Sequence, residues 1–203
     1  MKLACLLLLL PAAAAAEVPP VSVTAGGGLV QFTDPGMRSF ATEGAGWEAR
    51  LAYYARPFLS IEAVYSGSLH SIDATGMPGA TYLLGTGVDI DVRIGVLYES
   101  GVEPYFLAGL GWGQYRLTRT SGNTSPVHDI DNIGQVPLAL GVSFHRGRTL
   151  VDLRAAHRVT SWVDTFANTI DNGFDSWSFS LSVGLTTGPT PRSAARSSGT
   201  GRK

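Results

Sequence analysis

Cysteine is all but missing: the 203-residue chain has one, Cys5. That excludes a disulfide framework and a cysteine-based zinc site. Charge is scarce. Asp, Glu, Lys and Arg make up 15% of residues, against about 25% in ordinary soluble domains. The charge nearly cancels, with 15 cations against 16 anions, so the basic footprint of a nucleic-acid binder is absent. No apolar run reaches the roughly 18 residues of a membrane-crossing helix. Glycine, by contrast, is plentiful at 25 residues, well above the usual ~7%. Hydrophobic residues reach 44%, too many for a disordered chain.

Residues 1–16, MKLACLLLLLPAAAAA, read as an export signal. Lys2 supplies the positive start, Leu3 to Pro11 the apolar centre, and the alanine run a small-residue cleavage pattern ending at Ala16. Leu3-Ala4-Cys5 precedes the apolar centre instead of following it, which argues against lipidation. Cleavage before Glu17 leaves an exported chain without cysteine, with 14 cations against 16 anions.

After residue 20 the apolar pattern has period two, the signature of strands. Val88, Ile90, Val92, Ile94, Val96 and Tyr98 share one face, with Asp89, Asp91, Arg93 and Gly95 on the other. Trp177, Phe179, Leu181, Val183 and Leu185 alternate with serines and Gly184. Eight such segments are expected, near 21–32, 47–56, 58–68, 85–98, 104–116, 134–145, 149–159 and 175–186. Tight turns at 56–57, 99–103 and 146–148 alternate with long connections at 33–46, 69–84, 117–133 and 160–174. The long ones hold turn formers such as Asp34-Pro35-Gly36 and Asn172-Gly173. The expected fold is all-β: an eight-stranded, antiparallel, up-and-down transmembrane β-barrel.

A soluble eight-stranded barrel is the rival, and it would turn its apolar residues inward. The polar faces here are poor in charge and rich in Gly and Ser, which suits a cramped lumen better than a solvated exterior. The apolar faces carry aromatics toward their ends. Trp47, Tyr65, Trp112 and Trp177 are placed near the long connections, and Tyr98, Phe106 and Phe144 near the tight turns. Two such girdles are membrane-interface aromatics. An open sheet in lipid would leave edge amides unpaired, so the sheet must close.

The polar face holds Glu48, Arg50, Glu62, Asp89, Asp91, Arg93, Asp152, Arg154 and Arg158. Inside a narrow barrel none of these charges can stay unpaired, so a lumen network of Arg–carboxylate pairs is expected. Glu62 is placed diagonal to Arg50 across the turn at Pro57. The network reads either as the plug of a filled lumen or as the gate of a narrow ion path. Gly26-Gly27-Gly28 lies on a strand, where it would let side chains approach from across the lumen.

Two phrases, Arg56-Pro57-Phe58-Leu59-Ser60-Ile61-Glu62 and Glu103-Pro104-Tyr105-Phe106-Leu107-Ala108-Gly109-Leu110-Gly111-Trp112, complete the pattern. Together with the export signal and the eight strands, they make residues 20–186 resemble the OmpA-like, porin-like family of small outer-membrane barrels. The resemblance implies residence in the bacterial outer membrane, with lipids and the barrel-assembly machinery as partners and no cofactor. Long loops would be extracellular, able to take an extracellular ligand, and both termini periplasmic. Family members usually end on a terminal aromatic; here the last strand ends Leu185-Thr186-Thr187-Gly188 and a tail follows. The domain reading is therefore a signal at 1–16, a barrel at 17–188 and a basic, disordered periplasmic tail at 189–203.

Three functions remain open at this point: structure and surface display without catalysis, a narrow channel, and a lipid A-modifying enzyme. Outer-membrane lipid A deacylases pair a histidine with a serine two residues on. His157 here is followed by Val159, with Thr160 and Ser161 the nearest hydroxyls and Asp164 or Asp175 as orienting carboxylates. No metal is expected. His128, Asp129 and Asp131 in one long connection, and His70 and Asp73 in another, are read as solvated.

Overall fold

The computed structural model describes residues 20–72, 81–98, 100–118, 130–163 and 174–187. The export signal, the tail, His128, Asp129, Asp73 and Asp164 lie outside the described residues. Eight strands form one closed antiparallel barrel in chain order. They are β1 (Val21–Phe32), β2 (Gly44–Arg56), β3 (Leu59–Ile72), β4 (Thr81–Gly95), β5 (Val102–Thr118), β6 (Ile130–Arg146), β7 (Thr149–Val163) and β8 (Ser176–Thr186). Closure is by β1 against β8, from Ser22↔Thr186 to Phe32↔Ser176. Every backbone edge is therefore paired, as a bilayer requires.

The side chains settle which face points in. Along β4, Ile90 is 59% exposed and Asp91 2%. The same alternation runs around the barrel: the apolar face is the outer wall and the charges are buried. This inverts a soluble barrel, and the soluble alternative falls with it.

Each expected strand is present, and most extend further toward the long connections. β5 and β6 have 17 residues each. At ~3.3 Å per residue and a tilt near 40°, each climbs about 40 Å. That exceeds the ~25 Å apolar band of such barrels, so these strands project past it. Residues 96–98, expected in a strand, lie in the β4–β5 connection. Val96 and Tyr98 keep the outward alternation, which hides the strand end from the sequence, but Gly101 turns the chain at φ +83°. At the β6–β7 turn, Gly147 has φ +63° and nothing within 4 Å of where a Cβ would stand. Backbone conformation alone requires glycine there.

One helix interrupts the β pattern. α1 (Pro35–Phe40) replaces the irregular loop expected at 33–46. Asp34 caps it by accepting from the Met37 amide at 2.9 Å, and Pro35 occupies the first turn, where no amide donor is needed. The helix drops Met37 into a buried apolar cluster with Phe32, Ala41, Leu83, Tyr115, Ile133 and Phe174. This plug fills the loop end of the barrel. His70 packs beside it: the ring lies tilted against Phe32 with centroids 4.6 Å apart, and Nδ1 bonds to the Thr42 carbonyl at 2.9 Å. His70 and Asp131, expected in loops, instead sit buried on β3 and β6, because both strands extend further toward the loop end.

Candidate functional site: the charged lumen

β4 shows the layering of the interior in one strand. From the tight-turn end its inward residues are Gly95, beside Glu103, then Arg93, Asp91, Asp89, Gly87, Gly85 and Leu83. A charged layer comes first, a small-residue layer follows, and the apolar plug closes the loop end.

All nine charged residues assigned to the polar face by sequence point into the barrel; eight are buried and Arg158 is partly so. Arg50 forms ion pairs with Glu48 at 3.2 Å and Asp152 at 2.8 Å. Arg93 pairs with Glu62 at 3.2 Å and Glu103 at 2.9 Å, and donates to the Ser143 hydroxyl at 2.8 Å. Arg154 reaches Glu62 at 2.6 Å and donates to the Tyr105 hydroxyl at 2.9 Å, which in turn donates to Asp152 at 3.0 Å. The Arg93 guanidinium also lies 3.7 Å over the Tyr105 ring, a cation–π contact. Nearer the small-residue layer, Arg158 stands 3.6 Å from Asp89 and donates to Ser178 at 3.1 Å.

The register places Arg50 diagonal to Glu62, as expected, since Glu62 lies opposite Ala52 on β2. The ion pair forms instead with the diagonal neighbour on the other side, Arg93, since Glu62 lies opposite Asp91 on β4. Arg154 arrives from β7 on the far wall, 92 residues along the chain. Asp91 is brought into the layer with its buried Oδ1 lacking a hydrogen-bond partner among the described residues. It leans over Gly109, and Asp89 over Gly111: a Cβ at either glycine would stand within 2.0 Å of the facing carboxylate oxygen. The alternating glycines of β5 are the space these two acids occupy.

Sequence reading missed part of the layer. Glu103 pairs with Arg93 and with His145, 2.7 Å from its imidazole. Tyr105 and Ser143 bridge the guanidiniums to Asp152, Ser182 donates to Glu48 at 2.6 Å, and Gln135 donates to Asp89. The signal was present. Glu103 and Tyr105 alternate with Pro104 and outward Phe106, so the period of two puts both on the inner face.

Gly26 and Gly28 face inward, yet what approaches them is the neighbouring strand. A Cβ at Gly28 would stand 1.8 Å from the Phe179 carbonyl oxygen, and one at Gly26 2.2 Å from that of Leu181. These glycines serve the β1–β8 seam, not contacts from across the lumen. Beside them lies a cavity of about 50 Å³ lined by residues such as Gly46, Ser66, Gly87, Gln135, Arg158 and Ser178. A single water needs roughly 10–15 Å³ of such volume, so the cavity has room for water.

On the outer wall, Trp47, Tyr65, Tyr98, Phe106, Trp112, Phe144 and Trp177 are all exposed. Trp47 covers Gly67 of the paired strand, where a Cβ would strike its ring at 2.2 Å. Because β3 continues to Ile72, Tyr65 lies midway along it. His157 also faces outward, its ring tilted against Trp177 with centroids 4.7 Å apart. Asp175 is engaged elsewhere, accepting from the amide and hydroxyl of Thr160 at 2.7 Å each. Among the described residues no three of His, Cys, Asp and Glu are arranged to hold a metal.

Three solved barrels illustrate the likeness. OprG of Pseudomonas aeruginosa superposes with a TM-score of 0.60 at 10% identity, covering 83% of this chain and 95% of its own. Neisserial surface protein A gives 0.56 at 15%, covering 82% and 95%. The attachment invasion locus protein Ail of Yersinia pestis gives 0.55 at 10%, covering 83% and 98%; it has also been solved with the heparin analogue sucrose octasulfate. At these identities the likeness is one of fold. A search of curated proteins found no match. The family model for the outer membrane protein beta-barrel domain matches residues 3–196. An inside-out, closed, eight-stranded wall over nearly the whole matched span makes this chain a member of the outer-membrane β-barrel family.

Proposed function

We propose that the protein is a non-enzymatic barrel of the outer membrane that contributes to envelope structure and displays its long connections at the cell surface. The observation that carries this reading is the lumen blocked at two levels. The Arg50–Arg93–Arg154 layer lies below, and the plug of Phe32, Met37, Leu83, Tyr115, Ile133 and Phe174 above. Narrow eight-stranded barrels fill their interiors in this way. Trp47, Trp112 and Trp177 then lie in one lipid interface, with Tyr98, Phe106 and Phe144 in the other. Both barrel termini, Val21 and Thr186, emerge at the tight-turn end. An exported chain enters from the periplasm, so that end is periplasmic and the long connections face outward. Outer-membrane lipids and the assembly machinery are the partners this implies, and a surface ligand would meet the long connections.

Planar-bilayer recording tests the closed lumen. The native barrel should give no discrete conductance steps, and reproducible unitary steps would establish the second reading, a narrow channel. One observation favours that reading, the cavity of about 50 Å³ between the two blocks. Adhesion predicts that deleting a long connection abolishes surface binding while assembly continues. Catalysis on lipid A would show as a change in lipid A acylation on expression, lost in His157→Ala. We expect no such change, since His157 packs against Trp177 and residue 159 is Val.

A further inference from the structure

Sorted by position in the fold, the charges of the described residues fall into three unequal groups. The loop end has three acids and two arginines, and the lumen seven acids and four arginines. The tight-turn end has three arginines, Arg56, Arg146 and Arg148, and no acid among the described residues. All three are exposed at the turns and have no ion pair among the described residues. In sequence, four more cations, Arg192, Arg196, Arg202 and Lys203, follow the last strand. The β2–β3 and β6–β7 turns lie on opposite sides of the eight-strand circle, so the cations encircle the rim instead of forming one patch.

Depth points to the occupant. Arg146 follows outward Phe144 by two residues on β6, and Arg56 is flanked by outward Tyr53 and Phe58. Aromatics of this kind mark the edge of the hydrocarbon. A guanidinium one step beyond them reaches head-group level by snorkelling. We propose that the tight-turn rim is a binding collar for anionic phospholipids, with Arg56, Arg146 and Arg148 holding the phosphodiester groups. Arginine suits the task because its planar fork binds a phosphate through two donors. The proposal rests on the membrane-embedded reading of the barrel, but not on whether its lumen is closed.

Spin-labelled phosphatidylglycerol and phosphatidylcholine, each in vesicles holding the full mature chain, provide the test. We expect phosphatidylglycerol to be enriched at the protein, about fivefold at a site beside one exposed cation. The preference should collapse in 1 M salt, where screening acts within ~3 Å. It should fall in the R56Q/R146Q/R148Q variant, and a chain ending at Thr187 should keep the part due to the rim. Cold resistance to SDS, scored for each variant, separates loss of lipid preference from loss of the barrel. Equal association of the two lipids in the native chain, or a preference untouched by the triple substitution, would overturn the proposal. Co-sedimentation with insoluble cell wall without any lipid preference would transfer the rim to an acidic polymer and equally overturn it.

Discussion

Arg154→Met is the sharpest probe of the lumen. The substitution keeps much of the side-chain volume but removes a guanidinium that bonds Glu62 at 2.6 Å and the Tyr105 hydroxyl at 2.9 Å. Glu62 retains Arg93 at 3.2 Å, so one of its two charge partners is lost. Removing one member of a buried pair costs about 3–5 kcal/mol, largely because the other charge stays buried. An exposed pair would cost under about 1 kcal/mol. The surviving Arg93 contact places the expectation at the lower end, about 3 kcal/mol, roughly a 150-fold shift in the unfolding equilibrium. The double variant Arg154→Met with Glu62→Gln removes the stranded charge as well and should recover about 1 kcal/mol or more of that loss. The assay is urea unfolding in vesicles, followed by the gel-mobility difference between unheated and boiled samples. A single-variant loss below about 1 kcal/mol, or a double variant whose losses simply add, would refute the claim that this layer is a coupled, buried network.

Other expectations follow from the same geometry. Gly109→Ala places a Cβ 2.5 Å from the Ile90 carbonyl oxygen and against Asp91, and overpacking of this kind costs about 1–3 kcal/mol; a urea midpoint equal to the native one would contradict the spacing argument. Met37→Ala should loosen the plug at a cost of about 2–5 kcal/mol if the loss is fully coupled to the barrel. Protease cleavage within 33–43 should then rise while strand content by circular dichroism stays constant. Replacing Arg50, Arg93 and Arg154 together by Ala should leave the apolar plug as the remaining block, and adding Met37→Ala should let discrete conductance appear in a planar bilayer. His157→Ala, which removes a ring from the outer wall alone, should shift stability by less than about 1 kcal/mol.

The wall was legible because a bilayer and a lumen impose opposite demands on alternate residues, and a period of two survives any noise in propensity. The face could be assigned as well: Asp89, Asp91 and Arg93 on one strand cannot all face lipid. Other features escaped for physical reasons. Leu83, Tyr115 and Ile133 are apolar yet point inward, so at the loop end of the barrel apolarity no longer marks the outer face. Strand ends blurred for the same reason, which left His70 in a presumed loop and Tyr65 near a presumed rim. Pairing inside the lumen depends on strand stagger and on contacts from the opposite wall. No local pattern around Glu62 announces Arg154, 92 residues away.

The charged layer also constrains how such a chain enters a membrane. Glu48 takes its hydroxyl donor from Ser182, 134 residues later, and the first strand meets the last across 166 residues at Val21 and Thr187. Until the final strand docks, a half-built sheet would expose bare guanidiniums and carboxylates to hydrocarbon, at several kcal/mol for each. The lumen thus acts as a ratchet against partial insertion. Intermediates resting at the membrane surface keep their charges hydrated, and crossing becomes favourable only for a sheet about to close. A residue set that looks like internal scaffolding would in this way select a concerted route of assembly.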